Sequence, residues 1–443
     1  MRGWPLAVAA LLAVSIAGAA ARADEEKRPV PDYDGRPDPG PDAGEVLVWV
    51  PRVILFPAYL TTEYLIRWPL GRLITWLERE KVVQQAYGIF TFGTGGTLGV
   101  FTTALFDFGL RPSVGLYLFS DPFLHPDNRF RVSVAYGGDD WLSLGAKERL
   151  IVADDDRGEI VLRGGYQRRP DYPFYGVGPD ARQSDETFYR LTRVEVATSI
   201  SLRSAHAGTL AEARVFFDHR DRSDYGKPTE DYFFVKAIAG YTDSELFEQR
   251  LELWVDSRPQ GPAYDATGTG VRLDARAAQA FALDDVEDER FVRYGGEVSI
   301  FVDVTGTRRV LGLNVEADTI ESLGAQPVPL SYMLALGGTE SMRGFYLGRF
   351  VGPSALTATL DYRWPIASFL DAELFAGVGN VFAERWEDFE IDELAGHGGL
   401  AIRTNTSRDL SFDIVVGVGT RQFDRGPLLP ESFRLLIGTN RGF

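Results

Sequence analysis

The 443-residue sequence contains no cysteine, which removes disulfides, thiol nucleophiles, cysteine-ligated metals and a cysteine-borne lipid anchor together. Histidine is scarce, at four residues: His125, His206, His219 and His397. No Gly-x-Ser-x-Gly elbow or paired-histidine metal motif accompanies them. The chain is therefore expected to be no enzyme and to need no cofactor or metal. Positive charge is also short, 46 Lys and Arg against 63 Asp and Glu for a net charge of −17, which excludes nucleic acid because phosphate binding needs a basic face. After the N-terminus no run of 18 apolar residues is free of charge, so a bundle of membrane-spanning helices is excluded.

What is present points to export and a membrane. Arg2, an apolar run over 6–16, and Ala21-Arg22-Ala23 before Asp24 give the charge, core and small-residue order of a secretory signal. Cleavage is expected after residue 23. Residues 24–45 are rich in proline, glycine and acidic side chains and read as a periplasmic linker. From 46 to 86 the chain is apolar and aromatic but broken by Pro51, Pro57, Pro69 and several charges. Short amphipathic helices are expected there, with Trp49, Tyr64, Trp68 and Trp76 at a membrane interface or against a barrel's periplasmic end.

From about Tyr87 the period changes to two. In 410–418 the even positions are all large and apolar, while Ser411, Asp413 and Gly417 are odd. Leu311, Leu313, Val315 and Ala317 alternate with Gly312, Asn314, Glu316 and Asp318, and Leu251, Leu253 and Val255 with Arg250, Glu252 and Asp256. Many strands with an apolar row and a charged row fit an antiparallel transmembrane β-barrel, apolar towards lipid and polar towards the lumen. The glycine-rich loop around Arg343 is followed by five strand segments, 354–364, 371–380, 398–404, 410–418 and 433–443. Before it lie eleven or twelve, depending on whether 98–107 and 112–120 are separate. An even total with both termini periplasmic requires eleven, hence sixteen strands over residues 87–443. His397, in His397-Gly398-Gly399, has the look of an oxyanion-type glycine turn but is expected to begin a strand near an aromatic girdle. His219, among Asp218, Arg220 and Asp221, is expected in a solvated periplasmic turn.

Phe433, Leu435, Ile437 and Phe443 share one face of the last segment, which resembles the C-terminal signal by which outer-membrane barrels are recognised for assembly. The stretch Leu336-Gly337-Gly338-Thr339-Glu340-Ser341-Met342-Arg343-Gly344-Phe345 resembles the loop motif of the BamA/TamA-type outer-membrane assembly and translocation superfamily, the bacterial surface antigen family. Phe174-Tyr175-Gly176-Val177-Gly178-Pro179, Asp256-Ser257-Arg258 with Thr267-Gly268, 360–365 and 375–382 resemble further family segments in the expected order. The resemblance implies that the loop, around 320–353, folds into the lumen and that Arg343, Gly344 and Phe345 form its tip. It implies that the arginine pairs with acids on the lumen wall.

In 357–364 the apolar residues Ala358, Leu360, Tyr362 and Trp364 share one face, which leaves Asp361 and Arg363 in the lumen. Leu374, Ala376 and Val378 likewise leave Asp371 and Glu373 pointing inward. Gly377 stands where the family pattern has an aspartate, so Arg343 is expected to pair with Asp361, with Glu373 as the substitute second acid. Gly344 is expected to supply backbone angles the tip needs. The stretch 24–86 is too short for the periplasmic (POTRA) domains that assembly members carry, so this chain is expected to lack them.

Two functions follow as expectations. One is insertion or translocation of polypeptides through a weakly closed first–last seam. The other is a pore or lipid-handling barrel with a loop-plugged lumen lined by Glu316, Asp318, Asp361, Glu373, Arg250 and Arg403. A poorly paired seam favours the first, full pairing with an open lumen the second. Expected partners are outer-membrane lipids and lipopolysaccharide, client polypeptides or periplasmic accessory proteins, and the barrel assembly machinery. The expected location is the outer membrane of a Gram-negative bacterium.

Overall fold

Alternation with period two places successive side chains on opposite faces of a strand, and when both rows are long the sheet must bury one against itself. In the computed structural model the chain does so by closing. Described are residues 88–439 except 94, 122, 124, 154–156, 259–267, 285–288, 305, 307, 368–369 and 405–411. The expected signal, linker and helical segment, and Phe443, lie outside the described residues.

Sixteen antiparallel strands form the wall. They are β1 (Leu98–Asp107), β2 (Ser113–Ser120), β3 (Asn128–Tyr136), β4 (Leu142–Ala153), β5 (Gly158–Phe174), β6 (Thr187–Arg203), β7 (Ala207–Arg222) and β8 (Asp243–Asp256). Next come β9 (Gly270–Ala282), β10 (Arg290–Asp303), β11 (Val310–Ser322), β12 (Ser354–Ala367), β13 (Leu370–Phe382), β14 (Ala395–Thr404), β15 (Phe412–Gln422) and β16 (Pro430–Thr439). Each pairs with its sequence neighbour, and β16 pairs with β1 to close the barrel. Eleven strands precede the long loop and five follow it, the number the parity argument requires, but β1 and β2 are separate strands, so the expectation that separating them would make twelve is corrected.

The outer row is apolar: Leu251, Leu253 and Val255 of β8 and Leu311, Leu313 and Val315 of β11 face away from the lumen and are exposed in the isolated chain. No helix among the described residues is long and apolar enough to cross a membrane. Odd-numbered strands run upward, from the end that holds the outer termini of β1 and β16. Longer connections gather at the upper end, including 175–186, 223–242, 323–353 and 383–394.

The wall is uneven in height. β5 and β6 have 17 residues each, whereas β1, β2 and β16 have 10, 8 and 10. The extra turns of β5 to β8 carry charge on their outward row, and this corrects the placement of His219. It lies on β7 near the upper end, with Nδ1 2.5 Å from Asp243 Oδ1 and Nε2 3.1 Å from Asp221. A strand that continues past the apolar band turns polar without ending, so its composition imitates a turn.

The packed core lies inside the upper half of the barrel. Val328, Leu330, Tyr332, Leu334, Leu336, Met342, Phe345 and Phe350 of the 323–353 loop are all buried. All but Leu330 pack against inward side chains of β7 to β14, among them Phe216, Leu246, Phe291, Ile320 and Val381, and Leu330 packs with Phe174, Tyr189, Leu191 and Tyr241.

Candidate functional site

The 323–353 loop holds its own shape through a short ribbon, Leu334–Leu336 against Phe350–Gly352. Beyond the ribbon, Gly337 and Gly338 take φ of 110° and 90° and Met342 takes φ of 44°. Two bonds close the tip: Gly338 N–H donates to the Phe345 carbonyl and Phe345 N–H to the Met342 carbonyl, both at 2.9 Å. The result is a narrow tip that presents Arg343 to the wall.

Arg343 is buried, and its fork bridges two adjacent strands. Nη2 donates to Asp361 Oδ1 on β12 and Nη1 to Glu373 Oε1 on β13, each at 2.5 Å. The guanidinium lies over the Phe375 ring, 4.0 Å from its centroid. Asn314 Nδ2 donates to the second Asp361 oxygen at 2.8 Å. The other Glu373 oxygen lies 3.7 Å from Arg363 and from Arg403, and Arg403 also donates to the Thr339 carbonyl of the loop at 3.2 Å. Buried charge is tolerated here because each carboxylate faces several donors.

Glycines let the tip approach this closely. A Cβ on Gly417 would come within 2.9 Å of the Arg343 carbonyl oxygen and 3.0 Å of Gly344 Cα, and one on Gly379 within 2.9 Å of Met342 Sδ. A Cβ on Gly419 would strike the Phe345 ring. Inward glycines of β13 and β15 thus make a floor on which Met342, Arg343 and Phe345 rest. Gly344 has its own contact, since its Cβ would collide with the Val418 carbonyl and come within 2.8 Å of Gly419 N. Its φ is not among the positive values. The expectation that Gly344 supplies special backbone angles is therefore corrected: it is needed for backbone-to-backbone contact, and the left-handed residue at the tip is Met342.

Glu373 and Asp361 differ in what they lose on neutralisation. Glu373→Gln is expected to cost more than Asp361→Asn, because Glu373 answers three arginines whereas Asp361 answers Arg343 and an amide. A lower denaturation midpoint for the Asp361 variant than for the Glu373 variant would reverse that ranking.

Two arginines outside the sequence motifs complete the site. Arg349 is only 1% exposed. Its Nη1 donates to the Ala181 carbonyl and its Nε to Gln183, both at 3.1 Å, which ties the loop to the 175–186 connection. Arg434, on the inward row of β16, donates through Nε and Nη2 to both Asp107 oxygens of β1, the shortest bond being 2.7 Å, and through Nη1 to the Gly338 carbonyl. The sequence held one clue to it: Arg434 is the only charge on a row otherwise made of Ser432, Leu436 and Gly438.

Phe433, Leu435 and Ile437 lie on the outward row of β16. His397 is the third residue of β14, but it faces the lumen and not a lipid-side girdle. It is buried, its ring is 5.7 Å from that of Phe375, and among the described residues neither ring nitrogen has a hydrogen-bond partner.

Among the described residues the seam is the shortest ladder in the wall. β16 and β1 pair only at Leu436 with Asp107, Ile437 with Phe106 and Gly438 with Leu105 among the described residues. One more bond runs from Phe108 N–H to the Leu435 carbonyl, 2.9 Å. The other fifteen ladders run over seven to fifteen residue pairs.

An Omp85 superfamily domain matches residues 128–424, more than half of the chain. Among solved structures, BamA from Haemophilus ducreyi lacking POTRA domains 1–3 aligns with a TM-score of 0.54 at 12% identity, over 77% of this chain and 70% of that one. CdiB from Acinetobacter baumannii gives 0.49 at 10% identity over 77% and 59%, and CdiB from Escherichia coli 0.46 at 12% over 77% and 62%. The chain thus spans about three fifths of either CdiB protein. No curated protein matches the sequence.

Proposed function

The chain belongs to the Omp85 superfamily of outer-membrane barrels, and on that premise we propose that it helps polypeptides insert into or cross the outer membrane at the seam between β16 and β1. The observation that carries this reading is the seam's ladder, which has three pairs among the described residues. A strand edge with few partners is a ready template for another extended chain. Opening the seam costs least where the fewest inter-strand bonds hold it. The described wall is also low there, and a short apolar band beside lipid favours local thinning of the bilayer, which lowers the barrier to a new segment.

The partners in this reading are client polypeptides and periplasmic accessory proteins, with lipid and lipopolysaccharide around the outer row. It assigns no catalysis to the chain. A pore or lipid-handling role receives less support, because the loop core fills the upper lumen where a conduit would pass.

Because the chain has no cysteine of its own, a disulfide staple tests the reading cleanly. Phe106 and Ile437 are direct partners across the seam, and opposed residues in an antiparallel pair have Cα atoms roughly 4.5–5.5 Å apart, within disulfide range. Cells carrying Phe106→Cys with Ile437→Cys are expected, when oxidised, to lose the same outer-membrane proteins that depletion of the protein removes, and to recover them on reduction. An unchanged outer-membrane proteome with the staple formed would sink seam-dependent insertion.

A further inference from the structure

The bonds that bracket the seam from inside the barrel come from the loop. From β16, Arg434 donates to the Gly338 carbonyl, and Ser432 Oγ donates to the Gly344 carbonyl at 2.6 Å. On the β1 side, the Tyr346 hydroxyl donates to the Phe108 carbonyl, at the start of the β1–β2 turn. Burial pushes that hydroxyl up to about 12, so it keeps its proton and remains a donor. Between these lies the direct bond across the seam, from Arg434 to Asp107. Both residues are buried, at 3% and 8% exposure.

We propose that Arg434 is a latch residue that makes seating of the Arg343 loop and closure of the β16–β1 seam a single coupled equilibrium. A desolvated guanidinium needs acceptors for its donors. With the loop seated, Gly338 occupies Nη1 while Asp107 occupies Nε and Nη2, so the arginine is fully directed across the seam. If the Arg343 tip leaves the wall, Gly338 and the Tyr346 hydroxyl leave with it. Arg434 then has an unmet buried donor, and β1 loses its inner tie. A ladder with three pairs among the described residues gains most from such a tie. By linkage the reverse holds as well: opening the seam withdraws Arg434 and Ser432 from the loop and weakens its seating. The other described ladders have seven or more pairs, so the bracket bears most on this one.

For clients the consequence rests on the seam reading above, whereas the coupling is a property of the barrel alone and is read as a distance. Leu116 on β2 and Val416 on β15 face outward and are accessible, three inter-strand spacings apart across the seam and offset along it by the register, roughly 25 Å between backbones. Spin labels on Leu116→Cys and Val416→Cys in the full-length barrel in lipid vesicles report seam opening by pulsed dipolar spectroscopy. The intact protein is expected to give one short distance. Arg343→Ala and Arg434→Gln are each expected to add a longer component at least ~5-fold more populated than in the intact protein, and the double variant to add no more than the larger single one. Should Arg434→Gln fail to assemble, Tyr346→Phe removes one hydroxyl and no charge, and is expected to shift the same distribution in the same direction by a smaller amount. A separate label on Glu340→Cys reports release of the loop. Arg343→Ala freeing the loop while the 116–416 distance stays put would overturn the latch, whatever clients do. A distance that responds while the stapled seam leaves the outer membrane unchanged would keep the latch and remove only the insertion reading.

Discussion

Replacing Arg343 with alanine is expected to release the loop from the lumen wall and to open the chain to trypsin after Arg349 while the sixteen-strand wall persists. The cost is set by what remains buried. Asp361 keeps Asn314, and Glu373 keeps Arg363 and Arg403 at 3.7 Å. The wall is thus only partly uncompensated, which places the loss near 3 kcal/mol, the lower end for breaking a buried pair. That loss falls on the loop, whose other ties are hydrogen bonds to carbonyls, the Arg349–Glu431 ion pair at 3.6 Å and the apolar cluster behind the tip. Arg349 is the only other trypsin site within 323–353, and it is almost fully buried when the loop is seated. Cleavage there splits the chain into two fragments that are easily resolved. Arg343→Lys is expected to restore less than half of the protection. An ammonium is a point donor and cannot span carboxylates on two strands as the guanidinium fork does. Equal trypsin resistance in the intact protein and the alanine variant would show that the ion pairs do not hold the loop.

The second large effect is expected from a single methyl group. Gly344→Ala places a Cβ against the Val418 carbonyl and Gly419 N, both backbone atoms of a paired strand that cannot swing aside. Overpacking of that kind costs ~1–3 kcal/mol. Gly417→Val, which pushes from the opposite side of the same contact, is expected to exceed it. Gly178→Ala is the control for backbone strain: its φ is 95° but nothing lies within 4 Å of the added Cβ. It is expected to cost ~1 kcal/mol and to leave the loop protected from trypsin. The Gly344 and Gly417 variants are expected to lose little more when combined with Arg343→Ala, since the loop has already left the wall. Full additivity in the denaturation midpoint would mean that the glycine floor and the arginine act on separate structures.

These two effects also mark where the sequence was legible. Asp361 and Glu373 could be assigned to the lumen because Leu360, Tyr362, Leu374 and Ala376 define the opposite row, and the two acids do meet Arg343. The reason for Gly344 could not be read. A glycine at a loop tip looks like a conformational requirement, and the strand against which it rests begins some seventy residues later. His219 was misplaced for a related reason, since a polar row says that lipid is absent but not whether the strand has ended.

The strand number, the direction of each face and the identity of the loop were determined by the sequence alone, because they depend on local alternation and on a contiguous motif. The length of the seam ladder, and the bond from Arg434 to Asp107 across 327 positions, were decided only by the tertiary structure. Around a closed barrel the register of the last strand on the first is the sum of every earlier stagger. No segment of the chain carries that sum, and it appears only where the sheet meets itself.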